Sequence, residues 1–288
     1  VAEDPDSPDE LKAKLSELTG WIGRAKRPVF LLGAGISASV LPTFRGKGGL
    51  WTKNAGTYVP PAAPQAGERP EPTRAHRGLV ALEQAGHVYW LATQNYDDLS
   101  SRSGFPASKL SELHGNIYTE TCPKCGKVYH RDFEVELATA KNHETGRTCD
   151  VDGCGGKLKD NIVHFEETLP WHELKMANAK FVGADLAVVL GSSLRVEPAA
   201  SLPFKGKRRS KYGGFDGGRP KSVIVNLQPT RLDDEADLVI RASCDEVVDH
   251  LARTMVGAGW DGAAGSKRGG EDVNGAGESG GGGKRRKE

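Results

Sequence analysis

Strand-like runs alternating with helical ones, a buried strand that runs straight into a glycine turn, and two close cysteine pairs in a stretch of different composition together predict an α/β protein. The expected architecture is a Rossmann-like parallel sheet with a small inserted zinc-binding module. A chain of 288 residues suits one large domain with such an insertion.

The first helix announces itself by its cap. Ser7-Pro8-Asp9-Glu10 offers an N-cap, a proline at the first helical position and the glutamate of a capping box. Leu11, Leu15, Leu18, Ile22 and Ala25 follow at helical spacing, and Pro28 ends the pattern. VFLL then reads as a short buried strand leading into Gly33-Ala34-Gly35. Pro- and Gly-rich sequence over 46–72 is a loop of a length that is commonly functional. RAHRGLVALEQAG is a helix closed by Gly86, and HVYWLATQN a second buried strand. Beyond the cysteines, LAVVLG, SVIVNL and ADLVI are further strands, and EVVDHLART a last helix. These boundaries place the sheet domain at 9–118 and 161–256 and the insertion at 119–160. Residues 257–288 carry 12 of the 37 glycines and end in KRRKE, the composition of a disordered basic tail.

The bulk numbers narrow the classes. Net charge is +1, so no global field steers the chain to an acidic partner. Apolar residues make up 37% and charged residues 27%, ordinary for a globular chain. No apolar run reaches the ~20 residues of a membrane helix, and the acidic start VAEDPDSPDE is unlike a signal or transit peptide. Two basic runs, at 205–211 and 284–287, suit nuclear targeting or contact with nucleic acid or chromatin as well as they suit solvated loops.

Four features carry chemistry. Gly33-x-Gly35-x-x-Ala38 after a strand fits a variant dinucleotide turn, in which glycines admit a pyrophosphate at a helix N-terminus. A plain tight turn fits it equally, and no acid stands about 20 residues on to hold a ribose. Cys122 and Cys125, then Cys149 and Cys154, can close a four-thiolate shell around Zn²⁺. A full shell leaves no open position, so that metal is structural, and His130 and His143 are not needed as ligands. His114 lies outside the segment the cysteines bracket, and its spacing alone favours a structural histidine over a base. Finally, Gln94-Asn95-Tyr96-Asp97-Asp98, Gly191-Ser192-Ser193 and Asn226-Leu227-Gln228 each follow a strand, where α/β sheets bind ligands. Three strands ending in small or polar groups favour a shared site over three separate caps.

In this order, GAGIS, FRG with GLW, TQN-x-D, ELHGN, CPKC with C-x₄-C, GSSL, and VNLQPT with CDEV resemble the sirtuin family. SGFPASKLSELHGN and VIVNLQPTRLDDEADL are most similar to its class IV branch, the sirtuin six/seven type. The resemblance implies an NAD-dependent protein-lysine deacylase, acting on histones in the nucleus or otherwise in the cytoplasm, with nicotinamide and O-acyl-ADP-ribose as products. On it, His114 is the general base, and Asn95 and Asp97 join it as catalytic residues. Gly33, Ala34, Gly35, Phe44, Arg45, Trp51 and Gln94 line the phosphate and nicotinamide side of the cofactor. Gly191, Ser192, Ser193, Asn226, Leu227, Gln228 and Cys244 take the adenosine half. Val163, His164, Phe165 and Glu166 meet the acyl-lysine. Two departures stand out: Thr43 where the family has Asp before Phe-Arg, and Asp98-Leu99-Ser100 where it has Gly-Leu-His. The alternatives on the same scaffold are a mono-ADP-ribosyltransferase and a catalytically degenerate, zinc-stabilised chromatin-binding module.

Overall fold

A computed structural model describes residues 3–42, 69–135, 142–205 and 220–262. Helix α1 (Pro8–Arg24) has the full capping box: Ser7 and Glu10 bond each other's backbone, with Pro8 at the first position. Strand β1 (Pro28–Leu32) follows, then α2 (Arg74–Gln84), capped by Thr73, β2 (Trp90–Thr93), one turn of helix α3 (Leu99–Arg102) and β3 (Leu110–Glu112). A separate set of short strands comes next: β4 (Thr119–Thr121), β5 (Val128–His130), β6 (Glu144–Thr148) and β7 (Lys157–Asp160). The chain then returns through α4 (Trp171–Val182), β8 (Leu186–Leu190), β9 (Lys221–Val225), β10 (Leu238–Ile240) and α5 (Cys244–Met255).

Six strands pair in parallel in the order β10-β9-β8-β1-β2-β3. Both faces are covered. Phe30 and Leu32 of β1, with Leu186, Val188 and Leu190 of β8, pack with α1, α2 and α5. Val29 and Leu31, with Ala187 and Val189, pack on the other side with Ala177 and Phe181 of α4. Burial on both faces is why VFLL and LAVVL are apolar without alternation. The second sheet, β5-β4-β7-β6, is antiparallel, and its small core is Tyr129, Leu158 and the cysteines.

The strand order reverses at β1. Its neighbour on one side, β2, comes soon after it in sequence, whereas the other, β8, comes only after the small sheet has been built. Such a reversal leaves a crevice beyond the carboxyl ends of the two central strands, where ligands bind.

Two expectations change. The turn after β1 is a four-residue 3₁₀ segment, Ala34–Ser37, and not the start of an α-helix. At the start of the expected tail, Trp260 and Gly262 are buried while 257–259 and Asp261 are exposed. Trp260 is 4% exposed and its indole donates to Asp249 Oδ1 at 2.7 Å. Thr43, Phe44, Arg45, Trp51, most of the loop at 46–72, most of the basic run at 205–211 and residues 263–288 lie outside the described residues.

Candidate active site

A cavity of about 1020 Å³ opens at the switch point. Residues just past the carboxyl ends of all six parallel strands line it: Gly33, Gln94, His114, Gly191, Asn226 and Ala242. The sheet thus converges six loops on one space.

The glycine turn is fixed by contact with backbone. Gly33 N donates to Leu190 O at 3.0 Å and Gly35 N to Gly191 O at 2.8 Å. A Cβ on Gly33 would lie 2.7 Å from Gly191 O, and one on Gly35 2.6 Å from Gly191 Cα. Gly191 itself has φ 66°, where a side chain is strained. The glycines therefore let two loops cross closely, which forms the floor of the cavity. The same absence of side chains leaves that floor open to a pyrophosphate.

Three polar side chains brace the floor. Asn95 Nδ2 donates to Gly33 O at 3.2 Å and lies 3.3 Å from Ser37 Oγ. Ser192 Oγ donates to Gln94 Oε1 at 2.6 Å, tying the end of β2 to the loop after β8. Asp97 accepts from Ser37 Oγ at 2.6 Å and from Leu99 N at 3.1 Å. Burial raises the Asp97 carboxyl above its ordinary range. Asp97 is not among the residues lining the cavity; it stands one side chain behind, holding Ser37.

His114 does line the cavity. Its Nδ1 is 2.7 Å from Gln94 O, a contact that requires Nδ1 to carry the proton and donate. That tautomer leaves the Nε2 lone pair free. Burial lowers the imidazole's pKa, against the opposing effect of the carbonyl, so the ring is neutral at physiological pH. The turn after it is rigid. Gly115 has φ 80°, and a Cβ there would sit 1.9 Å from Asn161 O.

Val163, His164, Phe165 and Glu166 line one end of the cavity as irregular chain, tied back by Val163 N donating to His114 O at 3.1 Å. Phe165 is 73% exposed there. At the other end lie Asn226, Leu227, Gln228 and Cys244, with Ser192 and Ser193 between. Cys244 begins α5, and burial pushes its thiol up to about 12, which makes it a wall and not a nucleophile. Glu3, Tyr96, Arg195 and Asp245 also line the cavity and were not singled out from the sequence. Tyr96 and Asp245 lie within quoted motifs and Arg195 just after GSSL, though none was given a site role; Glu3 carries no sequence signal.

Cys122, Cys125, Cys149 and Cys154 converge with all four sulfurs within 4.8 Å of one another. The pairs Cys122–Cys154 and Cys125–Cys149 are each 3.6 Å apart. A tetrahedron of Zn–S bonds of about 2.3 Å has sulfur–sulfur edges of about 3.8 Å, so four thiolates fit Zn²⁺. Neither spare histidine joins them: His143 contacts Asp160 and Glu167, and His130 contacts Thr119. The Tyr129 hydroxyl, 3.1 Å from Cys149 Sγ, is an outer contact that spacing did not reveal.

A parallel α/β sheet with its cavity at the switch point, and a four-cysteine sheet inserted after β3, define a zinc-stabilised protein of the nucleotide-binding α/β class. Residues 57–198 match the family model described as Sir2 family. The chain is 43% identical over 256 residues to NAD-dependent protein deacetylase SRT1 of Arabidopsis thaliana, across 88% of this chain and 52% of that protein. It therefore spans about half the length of that relative. It is 34% identical over 265 residues to NAD-dependent protein deacetylase Sirt6 of Drosophila melanogaster, across 87% of this chain and 78% of the relative. A solved structure of Sir2 with a p53 peptide and NAD+ superposes with a TM-score of 0.62 at 30% identity, covering 84% of this chain and 98% of that one. The chain belongs to the Sir2 family, the sirtuins.

Proposed function

We propose that the chain is an NAD-dependent protein-lysine deacylase with His114 as its general base. The observation that carries this reading is the held tautomer of His114. A neutral ring donates Nδ1–H to the Gln94 carbonyl and keeps Nε2 free to take a proton from a ribose hydroxyl. The relatives' names supply the reaction type.

When bound, NAD supplies the ribose that accepts the acyl group. Gly33, Ala34 and Gly35 offer it an open floor, with Ser192 and Ser193 beside them, and Asn226, Leu227, Gln228 and Cys244 a far wall. Asn95 holds the floor in place, and Asp97 keeps Ser37 fixed from behind. Phe44, Arg45 and Trp51 are assigned to the nicotinamide side by resemblance alone. Val163, His164, Phe165 and Glu166 take the acyl-lysine at the other end, with exposed Phe165 against the peptide. Histones are the proposed substrates and the nucleus the proposed site, on the likeness to Sirt6 and the basic run at 205–211. A tagged chain excluded from nuclei would overturn that placement.

Incubation with NAD and acylated histone peptides tests the reaction. Expected is acyl-ADP-ribose that falls at least about a hundredfold in His114→Ala, the usual size of a lost general base. ADP-ribose on protein without deacylation would make the chain a mono-ADP-ribosyltransferase. No nicotinamide release, with peptide still bound, would make it a binding module.

A further inference from the structure

We propose that Glu3 selects NAD over its 2′-phosphorylated form, by placing a carboxylate where the adenosine ribose hydroxyls end. The inference rests on the NAD reading above, which puts His114 at the nicotinamide end of the cavity and Asn226–Gln228 at the other.

Dinucleotide sites of the common kind hold the ribose 2′-hydroxyl with an acid about 20 residues past the glycine turn, at the end of the next strand. Here the strand beside β1 ends in Gln94 and Asn95, and the one acid nearby that the family motif includes, Asp97, lies behind the cavity wall. The cavity draws its acid from elsewhere. The segment before α1 folds back along the end of β10. Asp6 N donates to Arg241 O at 2.9 Å, Arg241 N donates to Asp6 Oδ2 at 2.9 Å, and Lys14 Nζ donates to Asp6 Oδ1 at 2.5 Å. That two-way clamp anchors the chain at Asp6. Glu3 then lines the cavity beside Asn226, Leu227 and Gln228, and its Oε1 accepts from Gln228 Nε2 at 3.4 Å.

The charges at this end point one way. Asp245 also lines the wall, already accepting from Ser39 Oγ at 2.9 Å and Ala75 N at 2.7 Å. Arg241 is turned to the back of the Asn226–Gln228 turn, bonding its carbonyls and Asp233. Among the described lining residues the one Lys or Arg is Arg195, on the same loop as Ser192 and Ser193. A ribose diol donates hydrogen bonds, which a carboxylate accepts. A 2′-phosphate brings two negative charges, which the Glu3 and Asp245 carboxylates at this end repel. Glu3 is exposed and at the edge of the fold, so changing it leaves the core intact.

Titration calorimetry with ADP-ribose and 2′-phospho-ADP-ribose tests this without turnover. Wild type should prefer ADP-ribose. Glu3→Gln should narrow the preference roughly tenfold, and Glu3→Lys further, chiefly by tighter binding of the phosphorylated ligand. The gain in Glu3→Lys should shrink at high salt. A preference unchanged within about twofold in both variants, with wild type binding ADP-ribose, would overturn the role of Glu3 alone. Wild type binding neither ligand would overturn the NAD reading and this inference with it.

Discussion

Asp98 stands where the family has glycine, and its φ of 64° shows why glycine suits the position. Here the strain is offset by partners. Arg69, stacked over the Tyr118 ring, forms a salt bridge with Asp98, and Asn116 Nδ2 donates to Asp98 Oδ1 at 2.7 Å. The same amide donates to Glu112 Oε1 at 2.8 Å, so two carboxylates share one donor, and the salt bridge from Arg69 goes to Asp98. Burial pushes the Glu112 carboxyl up to about 7. A raised carboxylate keeps, when folded, a proton that the unfolded chain has lost. The contribution of Glu112 to stability should therefore fall as pH rises from about 4.5 to about 7 and level off above, by about 2 kcal/mol after allowing for partial exposure. The change in urea midpoint from pH 5 to pH 8 should be less favourable in wild type than in Glu112→Gln; equal changes in both would refute the assignment. At this scale the sequence was readable only in part. Spacing alone favoured a structural role for His114, because the carbonyl that sets its tautomer comes from residue 94, which no local pattern connects to it. Asp97 belongs to a motif that suggests ligand contact, yet its partner is Ser37, brought close by the fold.

The elements were legible where one physical signal dominates. The capping box of α1 and the Thr73 cap of α2 are local bonds within three residues, and sequence displays them directly. The central strands show as apolar runs because both faces are buried. By contrast β3 and the strands of the small sheet are three to five residues long, and one reads Lys-Leu-Lys-Asp. Such pieces are too short to carry a period. The described small-sheet core holds only Tyr129, Leu158, Cys122 and Cys149, with Cys154 against them, too little apolar surface to stand alone. Removing the metal with a chelator should abolish amide protection across 119–160 while β1, β2, β8 and β9 keep theirs. Hydrogen exchange reads both, and unchanged protection in the small sheet would refute a structural metal there. Buried Glu120, bonded by Arg131, Arg147 and Thr145, adds a polar tie to the same sheet, but a carboxylate at 0% exposure is stable only while its partners hold.

Across the whole molecule, the reversal of strand order at β1 decides where the site lies, whereas alternation of strands and helices pointed only to a parallel sheet with ligands beyond its strand ends. What alternation does not disclose is the folding back of the first residues onto the far end of the cavity, a contact spanning almost the full chain. Nor does it disclose that the small sheet leaves and re-enters beside the base. Val163 N bonds His114 O, and 48 residues lie between them. Closing a free loop of that length has an entropic cost that grows with the logarithm of its length. With Cys122 and Cys154 joined through a metal, the chain left to be closed is about threefold shorter, which lowers that cost by about 1 kcal/mol. A distant ion that touches no reactant thus favours the one hydrogen bond that draws the cavity's mouth against its base, acting through chain entropy alone.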